Sequence, residues 1–347
     1  MGMKAAVVEA PGKLTVREIA RPDAGGLGSY DVLCDLQYGA TCTGTDQHLI
    51  AGRFPWPVQY PTLLGHESVG LAIEVGPKVR HFQVGDLISR VGAPAAPDGA
   101  YHSNWGGFAE YGLARDHWAM RADDLPPSSW RPYRVNQVIP PDVDPRAATM
   151  IITWRETLSY VTRMGIEDGA KVLIVGSGGN GLAFAAHAAN AGAAAVVVIG
   201  NLSRQAAAHA AGATAYLDYQ ADNVDTQVAD SVSGGFDFII DSVGQADSAD
   251  GVLPYLRPGG SLGIYGIDDY QGARIRSHRA PGTFTVYGGG YDEAETHHAV
   301  IEAIRDGRLD ASIWLDLNHP FDLDDIHNAF QAVQHRRLIK ALVRLGY

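Results

Sequence analysis

Cysteine is scarce in this sequence, and long apolar runs are absent from it. Only Cys34 and Cys42 occur in 347 residues, too few for a disulfide framework or for a four-cysteine zinc lobe. Any metal site must therefore include ligands of other kinds. No apolar run is long enough to cross a bilayer and the N-terminus has no signal-peptide core, so we expect a soluble, cytoplasmic protein.

Positive charge is also in short supply. Lys and Arg number 27 against 39 Asp and Glu, which gives a formal net charge of −12. No cluster of basic residues could follow a phosphate backbone, so the sequence argues against nucleic acid as a partner and favours a small-molecule substrate. At 347 residues the chain exceeds one ordinary compact core, and its length predicts two domains.

The character of the sequence changes near Ala147. Before it, short β-rich runs separated by Gly, Pro and Asp predict an irregular β-barrel. After it, helices alternate with short apolar strands, which is typical of a parallel sheet covered on both faces. The predicted barrel strands are Met3 to Val8, Leu14 to Glu18, Asp31 to Gln37, Val69 to Val75, Asp86 to Arg90 and Phe108 to Leu113, and the predicted parallel strands are Val172 to Val175, Ala195 to Ile199, Phe236 to Ile240, Ser261 to Tyr265 and Thr283 to Tyr287. The run Leu338 to Arg344 predicts a last strand that rejoins the barrel.

A glycine-rich turn follows the strand that begins at Lys171. The segment Gly176-Ser177-Gly178-Gly179-Asn180-Gly181 has glycine at all three positions of the G-x-G-x-x-G pattern and opens an Ala-rich helix. The first glycine permits the tight turn, the second lets the backbone approach a pyrophosphate, and the third lets helix and sheet come close. Free amides and the positive end of the helix then face phosphate. The pattern predicts a bound nicotinamide dinucleotide, with Gly176, Gly178, Gly179, Asn180 and Gly181 among its contacts.

The residues after the second parallel strand bear on the choice between NAD and NADP. NAD-binding proteins usually place Asp or Glu there to accept from the ribose 2′-hydroxyl, but this sequence has Gly200-Asn201. Without a carboxylate nothing repels a 2′-phosphate, and Asn201, Ser203 and Arg204 could hydrogen-bond it. This favours NADP; alternatively, Arg204 covers the adenine and Asn201 serves NAD.

Further motifs occur along the chain in a fixed order. They are Thr43 to His48, Gly65 to Gly70, Val75-Gly76 with Val84-Gly85-Asp86, Gly106 to Tyr111, the glycine-rich turn, Asp241 to Gly244, and Pro258 to Gly260. Their order resembles the medium-chain dehydrogenase/reductase superfamily over essentially the whole chain, in particular its zinc-type alcohol and polyol branch, which includes glucose and sorbitol dehydrogenases. The resemblance implies an α/β fold with a GroES-like β-barrel catalytic domain at 1–150 and 315–347 and a Rossmann doubly wound parallel sheet at 151–314. It also implies a homodimer or homotetramer.

One catalytic zinc ion, without a structural zinc, follows from the same resemblance. His66 and Glu67 match the Gly-His-Glu motif that carries a family ligand, and an imidazole and a carboxylate suit zinc. Otherwise they are a turn histidine and a solvated glutamate. The family's cysteine position falls on Thr43, with Cys42 one residue earlier. Either Cys42 reaches the metal, so that the site is Cys42, His66 and Glu67, or the site has changed a ligand or lost its zinc.

The third ligand position of the family falls on an apolar residue. Counting back from the strand at Lys171 reaches Ile152, which cannot bind a metal. Glu156, one helical turn further on, is a possible substitute if a helix begins there.

Residues for proton transfer and for further cofactor contacts are implied as well. Thr45 and His48 match the hydroxyl and the imidazole of the family's proton relay, and we add Glu67 as the third predicted catalytic residue. A hydroxyl both donates and accepts, and His takes up a proton near neutral pH; alternatively, both residues only cap a turn. The further cofactor contacts are Ser242, Val243, Tyr265 and Gly266.

A Pro- and Gly-rich loop stands where many family members carry the structural zinc lobe. His102 and Asn104 near its end favour a polar rim, and Trp56, Trp105 and Trp118 either line the pocket or belong to the barrel core. We therefore expect an NAD(P)-dependent dehydrogenase that interconverts a secondary alcohol and a ketone on a sugar, polyol or cyclitol, with the help of zinc. The alternatives are a zinc-independent enone or quinone reductase of the same superfamily and a nicotinamide-binding protein without catalysis.

Overall fold

The computed structural model describes residues 2–23 and 26–346, and the chain divides into two compact units. The first unit comprises Met1–Ile152, His297–Arg305 and Asp310–Tyr347, and the second comprises Thr153–Thr296 and Asp306–Leu309. The domain limits expected from the sequence, at 150/151 and 314/315, stay predictions. In the described part of the chain, no helix has the length and apolar character needed to span a membrane.

The helices are short and the strands vary in length. The strands are β1 (Gly2–Ala10), β2 (Lys13–Ala20), β3 (Asp31–Ala40), β4 (Thr62–Leu63), β5 (Glu67–Val75), β6 (Leu87–Ser89), β7 (His102–Ser103), β8 (Tyr111–Arg115), β9 (Val138–Ile139), β10 (Lys171–Val175), β11 (Ala195–Gly200), β12 (Ala215–Asp218), β13 (Phe236–Asp241), β14 (Leu256–Ile264), β15 (Thr285–Tyr287), β16 (Phe321–Asp322) and β17 (Leu342–Arg344). The α-helices are α1 (Thr45–Ala51), α2 (His117–Ala122), α3 (Pro127–Trp130), α4 (Pro145–Ala148), α5 (Ile151–Met164), α6 (Gly179–Asn190), α7 (Gln205–Ala210), α8 (Val224–Ser231), α9 (Ser248–Val252), α10 (His297–Arg305) and α11 (Ile326–Gln334).

The first unit is built on two sheets. One has the order β2-β1-β4-β7, and the other has the order β16-β17-β3-β5-β6-β9, with β8 also paired to β3. The long strand β3 organises the larger sheet, because β5 runs antiparallel to it, β8 pairs with residues 31–35, and β17 pairs with residues 38–40. The C-terminal segment of the chain is thus part of the same sheet as residues 31–40.

One apolar core fills the first unit. It includes Val7 of β1, Val32 and Leu36 of β3, Phe108 before β8, and Phe330 of α11, all nearly or fully buried. The rings of Phe108 and Phe330 meet edge to face at 6.1 Å. Each large apolar side chain buried in this way contributes about 1.5–3 kcal/mol, so the C-terminal helix is fixed to the unit by its apolar face.

The second unit contains a parallel sheet in the order β12-β11-β10-β13-β14-β15. This is the strand order of a doubly wound dinucleotide-binding sheet, and it confirms the α/β class predicted from the alternating apolar strands. Leu173, Val197, Ile239 and Leu262 of neighbouring strands share one apolar core. The Ala-rich helix α6, nine of whose residues are buried, packs on β10 and β11.

The predicted last strand is too long. The sequence predicts a strand over Leu338 to Arg344, whereas β17 begins only at Leu342. The amide of Lys340 donates to the carbonyl of Trp314 at 3.2 Å, and the amide of Ala341 donates to the hydroxyl of Thr41 at 2.9 Å. Because these amides bond outside the strand ladder, the residues before 342 take an irregular path.

Candidate functional site

Antiparallel pairing brings three distant parts of the sequence together at the end of β3. Ala40 lies opposite Glu67 of β5 and opposite Leu342 of β17. Cys42 follows β3 by two residues, and Lys340 precedes β17 by two. The ladders therefore place residue 42, residues 66–67 and residue 340 side by side, although Glu67 and Lys340 are 273 positions apart in sequence.

Cys42, His66 and Glu67 form a compact group of potential metal ligands. One ligand atom of each lies within 4.8 Å of the others, and all three side chains are buried. Thr43, onto which the family's cysteine position falls, is exposed. The structure therefore brings the sulfur of Cys42, rather than the hydroxyl of Thr43, to the predicted ligands.

Asp46 orients two of these three residues. Its Oδ2 accepts a hydrogen bond from the amide of Cys42 at 2.8 Å, and its Oδ1 lies 3.2 Å from Nδ1 of His66. Because a carboxylate oxygen accepts, Nδ1 of His66 carries a hydrogen and Nε2 is the nitrogen that would offer its lone pair to a metal. Nε2 lies 3.7 Å from Oε1 of Glu67, so it is directed into the group. A histidine held by a carboxylate at its other nitrogen is a common arrangement for a metal ligand.

The electrostatics of the metal-free group favour a proton on the imidazole. Burial opposes a charge on His66, but the carboxylate of Asp46 and the side chain of Cys42 outweigh it and raise the pKa of His66 to about 10. A bound cation would compete for the same position with this proton, because metal ligands must be deprotonated.

Lys340 supplies a buried positive charge next to the group. Its ammonium forms an ion pair with Oε2 of Glu67 and donates to the carbonyl of Thr41 at 3.2 Å. The side chains of Lys340 and Glu67 are only 1% and 2% exposed. Burial works against the ammonium, but the nearby Glu67 carboxylate raises the pKa of Lys340 above its ordinary value. The pair fixes one oxygen of Glu67 and leaves the other, Oε1, on the side of His66.

The first position of the Gly-His-Glu motif requires glycine, because its φ is positive and a neighbouring ring leaves no room for a side chain. Gly65 has φ of +94°, and a Cβ at this position would lie 2.6 Å from the ring of Phe108. The amide of Phe108 donates to the carbonyl of Leu64 at 2.9 Å. The Gly106 to Tyr111 motif therefore packs directly against the turn that presents His66 and Glu67.

Thr45 and His48 lie on the helix that follows Cys42. Thr45 is the first residue of α1 and is half-buried, and His48 one turn later is buried. Nδ1 of His48 lies 2.6 Å from the carbonyl oxygen of Gly44. A carbonyl only accepts, so Nδ1 carries the hydrogen and Nε2 is the nitrogen that can take up a proton. The N-cap of α1 is Gly44, which has no side chain to cap the helix.

Neither the family's third ligand position at Ile152 nor its possible substitute Glu156 is part of this group. Ile152 is apolar and fully buried. The Oε2 of Glu156 accepts a hydrogen bond at 3.0 Å from the hydroxyl of Tyr265 in the second unit. Glu67 is the residue that completes a set of three ligand atoms.

The aromatic residues predicted near the pocket separate into two places. The ring of Trp105 lies 5.3 Å from that of His66, and Phe54 joins it to Trp56. Trp118 packs instead on His117, with 3.8 Å between the ring centroids.

The two polar residues of the predicted rim both interact with Thr62 of β4. The amide nitrogen of the Asn104 side chain donates to the hydroxyl of Thr62 at 2.9 Å. His102 pairs with the same threonine between β7 and β4 and is half-buried.

The glycine-rich turn of the second unit has the geometry that its sequence predicts. Gly176 has φ of +103°, and a Cβ at Gly181 would lie 2.0 Å from the carbonyl oxygen of Gly176. Gly178 precedes the first turn of α6, which begins at Gly179 and continues through Asn180, and a Cβ at Gly178 would meet nothing within 4 Å. The turn is therefore closed on its inner side and open where a pyrophosphate would approach the helix.

Asn201 caps the turn that follows β11. Its Oδ1 accepts from the amide of Ser203 at 3.1 Å and from its hydroxyl at 2.7 Å. The backbone amide of Asn201 donates to the hydroxyl of Ser177 at 3.2 Å, and this bond connects the end of β11 to the glycine-rich turn. Arg204 is half-buried close enough to Tyr216 to interact electrostatically with its phenol. The carboxylate of Asp218 also interacts electrostatically with this phenol and raises its pKa.

The remaining predicted cofactor contacts lie on two interlocked loops after β13 and β14. The hydroxyl of Ser242 donates to the carbonyl of Val175 at 2.7 Å. The amides of Tyr265 and Gly266 donate to the carbonyl of Asp241 at 2.8 and 3.0 Å. A Cβ at Gly266 would lie 2.0 Å from the carbonyl carbon of Val243. The loops thus hold each other at the carboxyl ends of the strands, where ligands of such sheets bind.

Two residues of the group were missed from sequence. Asp46 lies within the Thr43 to His48 motif, four positions after Cys42, and this spacing was a usable signal for a partner of the cysteine amide. Lys340 is a single charge in the otherwise apolar run from Leu338 to Val343. A lysine in such a run is rarely buried unless it is paired, which was the only available sign of its role.

The donor set fits a zinc ion. A thiol, an imidazole that can bind through Nε2 once it has lost its extra proton, and a carboxylate oxygen are the ligand types that zinc prefers, and three protein ligands leave a fourth position for substrate. The open helix end at Gly178 fits a dinucleotide pyrophosphate in the same way. Both fits rest on side-chain and backbone geometry within one unit each.

Known proteins match both parts of the chain. The family model described as "Alcohol dehydrogenase GroES-like domain" matches residues 28–124, and the one described as "Zinc-binding dehydrogenase" matches residues 179–301. The chain is 28% identical over 335 residues to the "Putative D-xylulose reductase" of Rhizobium meliloti (strain 1021), covering 92% of each protein. It is 25% identical over 348 residues to the L-galactonate-5-dehydrogenase of Escherichia coli (strain K12), covering 94% of each. A crystal structure of a "putative zinc-binding dehydrogenase" from Sinorhizobium meliloti 1021 bound to NADP has the same fold, with a TM-score of 0.79, 24% identity and 99% of both chains covered.

Proposed function

Because the chain belongs to the zinc-type alcohol and polyol branch of the medium-chain dehydrogenase/reductase superfamily, we propose that it is an NAD(P)-dependent dehydrogenase. It interconverts a secondary alcohol and a ketone on a polar substrate such as a sugar, polyol or cyclitol. The observation that carries this proposal is the buried group of Cys42, His66 and Glu67, with Asp46 and Lys340 around it. The polar substrate is supported by the names of the D-xylulose and L-galactonate relatives.

Cys42, His66 and Glu67 would hold the zinc ion. A bound zinc ion supplies a Lewis acid that lowers the pKa of an alcohol oxygen. Asp46 keeps the tautomer of His66 that offers Nε2, and Lys340 keeps Oε2 of Glu67 away from the ligand position. These residues thus set the direction of the ligand atoms before any metal arrives.

Thr45 and His48 handle the proton that an alcohol loses on oxidation. The hydroxyl of Thr45, at the start of α1, would accept the substrate proton and at the same time pass its own proton on along the relay. His48 takes up a proton at Nε2, because its Nδ1 is occupied by the carbonyl of Gly44. The turn at Gly176 to Gly181 would hold the pyrophosphate of a nicotinamide cofactor, which would supply the hydride acceptor.

NADP is the cofactor that the end of β11 favours. Asn201 stands where an acidic residue would accept from the 2′-hydroxyl of NAD, and Ser203 and Arg204 follow it. Asn201→Asp keeps the capping oxygen and adds a negative charge, so we expect the Kd of NADP to rise about tenfold and that of NAD to change less. The matched control is Asn223→Asp, the same change at another helix N-cap of the second unit. If both variants raise the Kd of NADP equally, Asn201 does not determine the preference for NADP.

Zinc content and activity together test the proposed function. Protein purified without chelator is expected to hold about one zinc ion per chain and to reduce NADP in the presence of a polyol panel. Cys42→Ala should lose both properties, whereas Cys34→Ala should keep both because Cys34 is buried in the apolar core away from the group. Wild-type protein that reduces enones or quinones without zinc would support the zinc-independent reductase instead. Cofactor binding without turnover of any alcohol or ketone would support a non-catalytic protein.

A further inference from the structure

We propose that Trp105, backed by Phe54 and Trp56, is a stacking platform that makes the site prefer alcohols carried on a saturated ring, such as cyclitols and pyranoses, over open-chain polyols. This inference rests on the proposed function and names the substrate class of the same site. All residues that carry it belong to the first unit.

The backbone of Trp105 has a conformation that favours glycine. Its φ is +70°, and the next residue, Gly106, has φ of +66°. A left-handed conformation is costly for a bulky side chain, and such outliers concentrate at functional sites. A tryptophan here is kept by something other than the local backbone preference.

The surroundings of Trp105 impose this conformation. A Cβ at Gly92 would lie 1.7 Å from the carbonyl oxygen of Trp105, and a Cβ at Gly106 would lie 2.2 Å from that of Ala93. The amide of Ala93 donates to the carbonyl of Gly106 at 2.9 Å. Two backbone segments are therefore in close contact, which fixes the backbone from which the indole extends.

The indole of Trp105 lies beside the ligand group and is only partly buried. Its ring lies 5.3 Å from the imidazole of His66 at an angle of 48°, and 42% of the residue stays exposed. Phe54 meets Trp105 edge-on at 6.3 Å and Trp56 at 5.1 Å, and Trp56 is 50% exposed. Apolar rings of this size are normally covered, so an exposed set beside a ligand residue indicates a surface for substrate.

The charge next to the platform restricts what can stack on it. The guanidinium of Arg90 lies 5.6 Å from the centre of the Trp105 ring. A cation already attracted to the indole disfavours a second cation at the same ring. Substrates with an ammonium group are therefore poor candidates, and neutral or acidic ones fit.

A ring-shaped alcohol uses such a platform better than an open chain does. One face of a saturated six-membered ring presents several C–H groups to the indole at once, while its hydroxyls point outward. An open-chain polyol must fix several torsions to make the same contact, and this loss of freedom weakens binding. Preference for the ring form follows from shape, without any further polar contact.

The test compares ring and open-chain alcohols in the zinc-loaded enzyme with NADP. The substrates are myo-inositol and glucose on one side and xylitol and sorbitol on the other, with benzyl alcohol as a flat aromatic probe. The variant Trp105→Gly removes the indole and relieves the backbone. The control Trp118→Ala removes an indole that is 37% exposed and packs on His117 instead.

We expect wild-type kcat/KM to be at least about tenfold higher for the ring polyols, a difference of about 1.4 kcal/mol. Trp105→Gly should abolish this preference, mainly by raising KM for the ring polyols, and a cooperative melting transition shows that the variant is folded. Binding of myo-inositol should also quench indole fluorescence in the wild type and less in the variant. Trp118→Ala should keep the preference.

Three results would overturn the inference. They are a wild-type preference for xylitol and sorbitol, an equal loss for ring and open-chain polyols in Trp105→Gly, and a loss confined to benzyl alcohol. In each of these cases the protein still oxidises alcohols, so the proposed function stands. Inactivity of the wild type towards every alcohol and ketone would instead overturn the proposed function, and the ring preference with it.

Discussion

Replacing Lys340 by methionine removes a buried positive charge and keeps most of the side-chain volume. The partner, Glu67, is 2% exposed and would be left as an unpaired carboxylate inside the protein. Breaking a buried ion pair by removing one partner typically costs about 3–5 kcal/mol, because the remaining charge has no compensation. We expect a loss of this size in the free energy of unfolding of the zinc-free protein.

Zinc should reduce that loss. A divalent cation bound by Glu67 would offset the carboxylate charge in place of the ammonium. Guanidinium chloride unfolding of zinc-free and zinc-loaded protein measures both values, and the loss on Lys340→Met should be clearly smaller with zinc. A loss that is the same with and without zinc would contradict the placement of Lys340 beside a ligand carboxylate.

A matched lysine provides the control. Lys4 also pairs with a carboxylate, that of Asp324, but the two side chains are 36% and 61% exposed. Exposed pairs contribute about 1 kcal/mol or less, so Lys4→Met should have little effect. If Lys340→Met destabilises no more than Lys4→Met, the buried pair has no energetic role. The double variant Lys340→Met with Glu67→Gln should be more stable than the sum of the single changes predicts, because the two residues are in contact.

Three further predictions concern the ligand group and the glycine-rich turn. Asp46→Asn should weaken zinc binding about 10- to 100-fold, measured by competition with a chelator, because the variant no longer fixes the tautomer of His66; an unchanged affinity would contradict this. In zinc-free protein the pKa of His66 is raised from 6.5 to about 10. The stabilising contribution of His66 is therefore complete below pH 6.5 and is lost as the pH rises through about 10. The free energy of unfolding, measured at several pH values, should fall in this way in the wild type and not in Asp46→Asn. Gly181→Ala should weaken NADP binding about tenfold and lower the melting temperature, because the new Cβ would lie 2.0 Å from a carbonyl oxygen. Gly178→Ala should weaken NADP binding without lowering the melting temperature.

The fold was predictable where a repeating pattern determines it. Apolar strands alternating with helices predicted the parallel sheet, and the glycines at 176, 178 and 181 predicted the tight turn after β10 and the close approach of α6. The prediction was wrong at Leu338 to Ala341, where an apolar run looks like a strand. Hydrogen bonds of Lys340 and Ala341 to Trp314 and Thr41 decide the path there, and bonds between such distant residues leave no local pattern.

The candidate site was predictable only in part, for a similar reason. Cys42, His66 and Glu67 lie near motifs, so the sequence could name them. Which of Cys42 and Thr43 turns inward depends on where β3 ends and α1 begins, and a one-residue difference in that position exchanges a buried for an exposed side chain. The role of Lys340 depends on β17 pairing with β3, a contact across about 300 positions that no spacing rule contains.

Charge balance would allow a carboxylate to complete the proposed ligand set although Ile152 occupies the family's third position. Asp46 and Glu67 bring two negative charges into a buried place, where unpaired charges are very costly. Lys340 offsets one of them at all times. In the zinc-free protein the proton on His66 offsets the other. A zinc ion held by the proposed ligands would bring two positive charges to balance the thiolate of Cys42 and the carboxylate of Glu67, while Lys340 would balance Asp46. In this count the zinc-bound group would carry no net charge, and the buried lysine is the residue that would allow Glu67 to serve as the proposed third ligand.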